Sequence, residues 1–339
     1  MKLIIYSQNI VGMDGVGNSV LYFNKIFSKN YPTRVVAHYS NIEGVINFED
    51  YEEEHEDNNI LLYHYSISDV RILSLLKLKF KKRIVYYHGI TPPKYFLKNS
   101  ELYNNCLKGL KDIYLLNEFD LFISNSTASK KQFFLNTGKT FSEINKFIIM
   151  PPIDFKKDLT PSINDENTKT NAFYCGTLAN HKNVKNLIDI FSTDISEFKL
   201  NIFTAFSELD AIHVFGEDSF REFKNKDIKF FHKLSNKEMI KKMLTMNLFV
   251  SFSLHEGFCI PVYDSIQYLI PSMTYKLSCY EDYFPSNYKY IDLDDDLINL
   301  KEKYFYNLSN IKQTKEFINI KGFEKISKAI SCIEELIDT

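Results

Sequence analysis

Residues 248–265 read LFVSFSLHEGFCIPVYDS, an order of residue types that describes a buried strand, a turn and a helix. The first four residues form a short apolar run without a charge, as a strand enclosed in a parallel sheet requires. Glu256 and Gly257 then open a turn, and Pro261 suits the first turn of a helix, where its missing N–H is no loss. A strand, a turn with outward backbone amides and a helix start make a site for an anionic ligand. Two carboxylates belong to it, Glu256 on the turn and Asp264 one turn into the helix. A plainer reading, an acidic loop ahead of an ordinary capped helix, also fits the segment alone.

The same alternation recurs on either side. Strand-like runs fall near residues 3–6, 33–37, 60–63, 83–87, 121–124 and 147–150, with helical stretches around 18–28, 69–79, 101–117 and 127–136. From Pro151 to Asn171 a Pro-Pro step and a polar run interrupt the pattern and read as a linker. It resumes with strands near residues 172–175, 200–203, 228–231, 248–251 and 272–275. Strands alternating with helices predict an α/β chain with parallel sheets and helices on both faces. The expected organisation is two doubly wound domains, residues 1–155 and 172–320, joined by a linker at 156–171. A closing amphipathic helix is expected within residues 321–339. Ligands of such sheets bind beyond the carboxyl ends of the strands, here in a cleft between the two halves. The acidic stretch 49–57 reads as a solvated loop.

Length and composition agree with this organisation. At 339 residues the chain exceeds one ordinary core. Its 41 Lys and Arg against 43 Asp and Glu give a net charge of -2, which removes any general attraction to nucleic acid. The five cysteines, at 106, 175, 259, 279 and 332, show no paired or metal-binding spacing and suit a reducing compartment. No run reaches the roughly 18 apolar residues of a membrane span, and no leader-like segment opens the chain. A cytoplasmic protein is expected, with any membrane contact peripheral.

Three further loops carry chemistry. After the first strand come Gly12, Gly15 and Gly17 and then a helix, so that a backbone approach and a helix start coincide. The cluster lacks the third small residue of a dinucleotide fingerprint and the Gly-Lys-Ser/Thr of a Walker loop, so it is either a ligand loop or a tight turn. His88 stands at the end of the fourth strand, before Gly89 and the rigid Pro92-Pro93, where it faces a ligand or caps the strand. Lys182, in the loop Gly176–Asn183, is placed to neutralise a diphosphate near a helix start, or is simply solvated.

The order of these elements resembles glycosyltransferase family 4, whose members have the GT-B architecture of two Rossmann-like domains facing across a cleft. They transfer a sugar from a nucleotide donor with retention of configuration. The family carries a Glu, seven further residues and a second Glu within a Glu-Gly-Phe-Gly-x-Pro context. This chain has Glu256-Gly257-Phe258-Cys259-Ile260-Pro261 and then Asp264. The resemblance implies that Glu256 contacts donor-sugar hydroxyls, that amides around Phe258, Cys259 and Ile260 meet the sugar and phosphates, and that Asp264 holds the ribose. It also implies a donor contact and catalytic assistance from His88, donor contacts at Gly15 and Gly17, and a diphosphate contact from Lys182. Ser124–Lys130 resembles the family's Ser-rich turn into a helix, and Pro151-Pro152-Ile153-Asp154 its hinge approach. The chain departs from the pattern twice, with Asp264 for the second Glu and Thr177 where a diphosphate-binding Arg is usual. Either His181 or another basic residue supplies that charge, or donor binding is weaker, or activity is lost.

The expectation that follows is a metal-independent retaining hexosyltransferase with a nucleotide sugar as co-substrate. It would act on a glycan or lipid-linked acceptor in surface polysaccharide assembly, such as lipopolysaccharide, capsule or O-antigen. No covalent nucleophile is evident, so front-face substitution with charge stabilisation at the leaving phosphate is the expected chemistry. Lys77, Lys79, Lys81, Lys82 and Arg83 form a basic edge, which is either a contact for an anionic membrane or a solvated helix end. The alternatives are a catalytically silent GT-B binding subunit and a sugar-nucleotide epimerase.

Overall fold

The computed structural model describes residues 1–12, 14–138, 147–152, 170–192, 198–224, 226, 228–292, 295 and 297–339. The chain divides into two compact units, one of residues 1–154 with 321–339 and one of residues 155–320. Ile153, Asp154 and most of the expected linker lie outside the described residues.

The first unit is built on a parallel sheet of seven strands: β1 (Leu3–Ile10), β2 (Thr33–Ser40), β3 (Ile46–Asn47), β4 (Ile60–Tyr65), β5 (Lys82–Tyr87), β6 (Leu121–Ser124) and β7 (Phe147–Ile149). Their order is β3-β2-β1-β4-β5-β6-β7. Every residue of β4 is buried, as are Leu3, Ile4, Ile5 and Tyr6 of β1, because helices cover both faces of the sheet. The chain adds strands outward from β1 to β3 and then restarts at β4 on the other side, so the winding order reverses between β1 and β4 while all strands stay parallel. Burial here includes hydroxyls, and each needs a partner. Tyr6 and Tyr63 donate to the Asp69 carboxylate at 3.2 and 2.7 Å.

The second unit has five parallel strands, β8 (Thr170–Cys175), β9 (Phe198–Thr204), β10 (Ile228–His232), β11 (Leu248–Ser251) and β12 (Ser272–Thr274), in the order β10-β9-β8-β11-β12. Its reversal lies between β8 and β11, whose Leu248 and Phe249 pair with Ala172 and Phe173. Both sheets therefore show the doubly wound pattern that the alternation predicts.

Several local expectations are corrected. The stretch 49–57 is not wholly loop: Phe48–Glu53 is a helix whose cap, Asn47, accepts from the Glu49 amide. Phe48 and Tyr51, three residues apart on one helix face, are buried in the core and anchor it, and Arg71 donates to Glu49. The helix expected at 69–79 shrinks to Ile72–Lys77, and Leu78 after it is already extended. The carboxyl-terminal helix is longer than expected, Ile311–Asp338, and belongs to the second unit up to Ile320 and to the first from Lys321. All five cysteines are free. Among the described residues no helix is long and apolar enough to cross a membrane.

Candidate functional site

In the second unit, β8 and β11 are neighbours at the reversal, so the loops that leave their carboxyl ends meet. The Leu254 amide donates to the His181 carbonyl oxygen at 2.8 Å and ties the loops together. Across that tie Lys182 Nζ lies 2.7 Å from both Oε1 and Oε2 of Glu256. The two side chains are 19% and 8% exposed, so water screens the pair poorly. Burial alone would raise the Glu256 pKa. The Lys182 ammonium and the Ser253 hydroxyl outweigh it and hold the carboxyl below its usual range. Burial likewise pulls Lys182 down, and Glu256 outweighs it and holds the ammonium above its usual range. Both groups are charged at neutral pH.

The helix after this loop, Ile260–Gln267, carries Pro261 in its first turn, as its sequence requires. Ser100, Ser126, Ser207 and Ser235 each cap the helix they precede. Cys259, at the equivalent position here, gives no side-chain cap. Pro261 has no N–H to offer there, and the Val262 amide donates to the Cys259 carbonyl oxygen at 3.1 Å. Cys259 also has φ of 59°, in the left-handed region that favours glycine, the residue the resembled family places there. Burial and then the Glu256 carboxylate raise its pKa, so it remains a thiol.

The other expected residues of this loop divide by role. Phe258 is an anchor: its ring is 4% exposed, stacks on Tyr263 at 4.2 Å and meets Tyr283 edge-on at 5.4 Å. Ile260 is half-buried at the helix start. Asp264 is half-buried on the same helix, near enough to Cys175 that its charge, after burial, helps push that thiol up to about 12. His181 is not a second cation: burial first and then Lys182 hold its pKa at about 4, so it is neutral at pH 7. Thr177 is exposed, and its carbonyl oxygen accepts from the Tyr174 hydroxyl at 2.7 Å.

In the first unit the Gly loop follows β1, one of the two strands at the reversal. The sequence left it as either a ligand loop or a tight turn. Asp14 caps the helix Gly15–Phe27 and accepts from the Gly17 amide at 3.1 Å, so that amide already has a partner. Burial, opposed by amide bonds from Gly17, Val16 and Gly15, raises the Asp14 pKa. A Cβ on Gly17 would sit 2.4 Å from the Val11 carbonyl oxygen, so this glycine serves a close backbone approach, whereas Gly15 has open space. Asp14 was legible in principle, as an Asp at the N-cap position before the helix.

His88 follows β5 and is 9% exposed. Its amide donates to the Tyr65 carbonyl oxygen at 3.0 Å, and its own carbonyl oxygen accepts from Asn125 Nδ2 at 2.8 Å. The Ser-rich turn thus clamps the His88 backbone while Ser126 caps the helix Thr127–Thr137. Gly89 has φ of 81°, and a Cβ there would approach Ser129 Oγ to 2.7 Å. His64, which sequence reading did not single out, lies against the His88 ring. No period or spacing marks a histidine inside an otherwise apolar strand.

No protein-family model matches the sequence, and no curated protein sequence matches it. Solved structures do resemble the whole chain. The Anabaena protein HepE in complex with UDP and glucose superposes with a TM-score of 0.74 at 11% identity, over 99% of this chain and 100% of that one. HepE is also solved with UDP-glucose. Sucrose-phosphate synthase from Thermosynechococcus elongatus gives 0.71 at 12% identity, over 99% and 98%. WaaG, a glycosyltransferase involved in lipopolysaccharide biosynthesis, gives 0.65 at 9% identity, over 96% and 98%. At these identities the likeness is one of fold, and the fold is GT-B: two Rossmann-like units, each on its own parallel sheet.

Proposed function

We propose that this chain is a retaining glycosyltransferase that takes a hexose from a nucleotide sugar and passes it to a glycan or lipid-linked acceptor in surface polysaccharide assembly. The observation that carries the reading is the Lys182–Glu256 ion pair at the carboxyl ends of β8 and β11, beside a helix start without a side-chain cap. Sheets of this class place ligands at that reversal. The pair combines the two recognitions a nucleotide sugar needs. Glu256 accepts from sugar hydroxyls, and Lys182, an ammonium with three N–H groups, donates to a phosphate oxygen while keeping its carboxylate partner. The start of the helix Ile260–Gln267 adds its dipole to the attraction for the leaving diphosphate, and Asp264 is assigned to the ribose.

These groups stabilise charge on the departing phosphate, which is where front-face substitution needs it. The same groups do so without a resident metal, so turnover is expected to survive chelation. His88 is assigned the role of a donor-sugar contact and catalytic assistant that the family resemblance implies. UDP-glucose is the first donor to test, since HepE, a structure of similar fold, is solved with it. The experiment is calorimetric binding and UDP release across a panel of nucleotide sugars, with Glu256→Gln as the control. Glutamine keeps the size and one hydrogen bond and removes the charge. Failure of the wild type to bind any donor, or turnover unchanged in Glu256→Gln, overturns the proposal. Binding without turnover would instead make the chain a donor-binding subunit, the reading that Thr177 and the neutral His181 favour.

A further inference from the structure

β4 and β5 pair in parallel with Tyr65 opposite Tyr87, which brings His64, near the end of β4, beside His88 just past β5. Nδ1 of His64 lies 3.0 Å from Nε2 of His88. The His64 ring is 1% exposed and is enclosed by Phe23, edge-on at 4.9 Å, and by Tyr86 at 5.0 Å. Its other nitrogen, Nε2, is buried without a hydrogen-bond partner. With the His88 backbone clamped by Tyr65 and Asn125 and its Nε2 taken by His64, Nδ1 is the ring nitrogen left to meet a ligand.

A short contact between two imidazole nitrogens needs one proton between them. Burial holds both rings neutral: it lowers the His88 pKa to about 3, and with the neighbouring His88 it lowers that of His64 well below its usual value. Two arrangements satisfy the contact. In one, His88 donates from Nε2, and His64 must then carry its proton on the enclosed Nε2, a buried donor without an acceptor. In the other, His64 donates from Nδ1 and leaves a bare lone pair at Nε2. Orphaned buried N–H groups are the rarer defect, so the second arrangement is favoured. In it the His88 proton sits on Nδ1.

We propose that His64 is a positioning residue. By donating from Nδ1 to Nε2 of His88 it holds that ring in the tautomer protonated at Nδ1, so that His88 meets an oxygen of the donor sugar as a neutral N–H donor. The inference rests on the reading of His88 as a donor contact, but its test does not need the donor. Nitrogen-15 NMR of the histidine rings in the free full-length protein, assigned with His88→Gln, reports which nitrogen is protonated. The expected wild-type spectrum has His88 protonated at Nδ1 and bare at Nε2. His64→Phe keeps a ring and removes the donor, so His88 should become a mixture of tautomers. His64→Asn places an amide N–H near the former Nδ1 and should restore the single tautomer. Protonation at Nε2 in the wild type, or a His88 spectrum unmoved in His64→Phe, overturns the proposal. With a donor established, kcat should fall about tenfold in His64→Phe, the worth of one hydrogen bond, and recover in His64→Asn, which a purely structural role would not produce. Loss of kcat in His64→Phe without recovery in His64→Asn counts against it. Absence of any donor overturns the glycosyltransferase reading and leaves the tautomer measurement to decide the His64 role.

Discussion

Both carboxylate oxygens of Glu256 lie 2.7 Å from Nζ of Lys182, across 74 residues of chain and from the ends of two neighbouring strands. Removing one partner leaves a buried charge without its counter-ion, which costs about 3–5 kcal/mol when the site is dry. Glu256→Ala is therefore expected to lower stability by about 3 kcal/mol, and Lys182→Met by a similar amount. Replacing both, with Lys182→Met and Glu256→Leu together, should recover most of the loss while abolishing donor binding. Urea denaturation of the three variants checks this. Equal losses that simply add in the double variant would show that the two charges do not depend on each other.

Cys259 offers a test in the opposite direction. A side chain in the left-handed region costs about 1–2 kcal/mol, against a smaller entropic penalty for glycine. Cys259→Gly, with φ already at 59°, should leave the protein as stable or up to about 1 kcal/mol more stable. Denaturation midpoints decide it. A clear loss of stability would mean that the thiol packing outweighs the backbone strain.

How much of this was readable beforehand follows from the range of each interaction. The β11 strand, the turn and the helix after it depend on residues within twenty positions of one another, and residues 248–265 showed them directly. Parallel order also followed, because buried strands read as continuous apolar runs. The Lys182–Glu256 pair did not, since each residue had a separate role in its own loop and only the adjacency of β8 and β11 joins them. Asp14 was within reach of the capping rule, as an Asp directly before the helix start. Phe48 and Tyr51 were hidden in an acidic stretch, where two aromatic anchors three residues apart outweigh the surrounding charge.

The Gly loop separates packing from binding. Asp14→Ala removes the cap of Gly15–Phe27 and should cost about 1 kcal/mol. Gly17→Ala drives a methyl against the Val11 carbonyl oxygen and should cost about 1–3 kcal/mol, even with no ligand present. Thermal denaturation of the free protein is the measurement. If Gly17→Ala is neutral there but weakens donor binding, the glycine serves the ligand and not the backbone.

The basic edge is narrower than its sequence suggests. Lys82 lies 3.7 Å from Asp120, and Arg83 donates to the carbonyl oxygens of Leu76 and Leu78. Lys77, Lys79 and Lys81 remain exposed, next to Leu73 at 61% exposure. Each would contribute about 1 kcal/mol near an anionic surface, so the membrane contact expected as one reading of this edge would be weak and sensitive to salt. Sedimentation with phosphatidylserine vesicles should show binding at low salt that high salt reverses and that Lys77→Glu, Lys79→Glu and Lys81→Glu together remove. Absent or salt-independent binding would end the membrane proposal.

The buried histidines set the acid limit of stability. His88 and His181 are held at about 3 and about 4 by burial, and His64 is held well below its usual value, whereas each titrates near 6.5 once unfolded. Below that pH the unfolded chain takes up protons that the folded chain refuses, so stability is fully present above about pH 6.5 and falls as pH drops toward the folded values. Each such group contributes a slope of about 1.4 kcal/mol per pH unit, and three together about 4, before the carboxylates begin to titrate. Urea denaturation at steps from pH 7.5 to pH 5 should show this steep loss, and His181→Asn should remove about a third of the slope. A stability that stays level across that interval would mean that the folded protein accepts these protons, and that His64 and His88 are not held as a neutral pair.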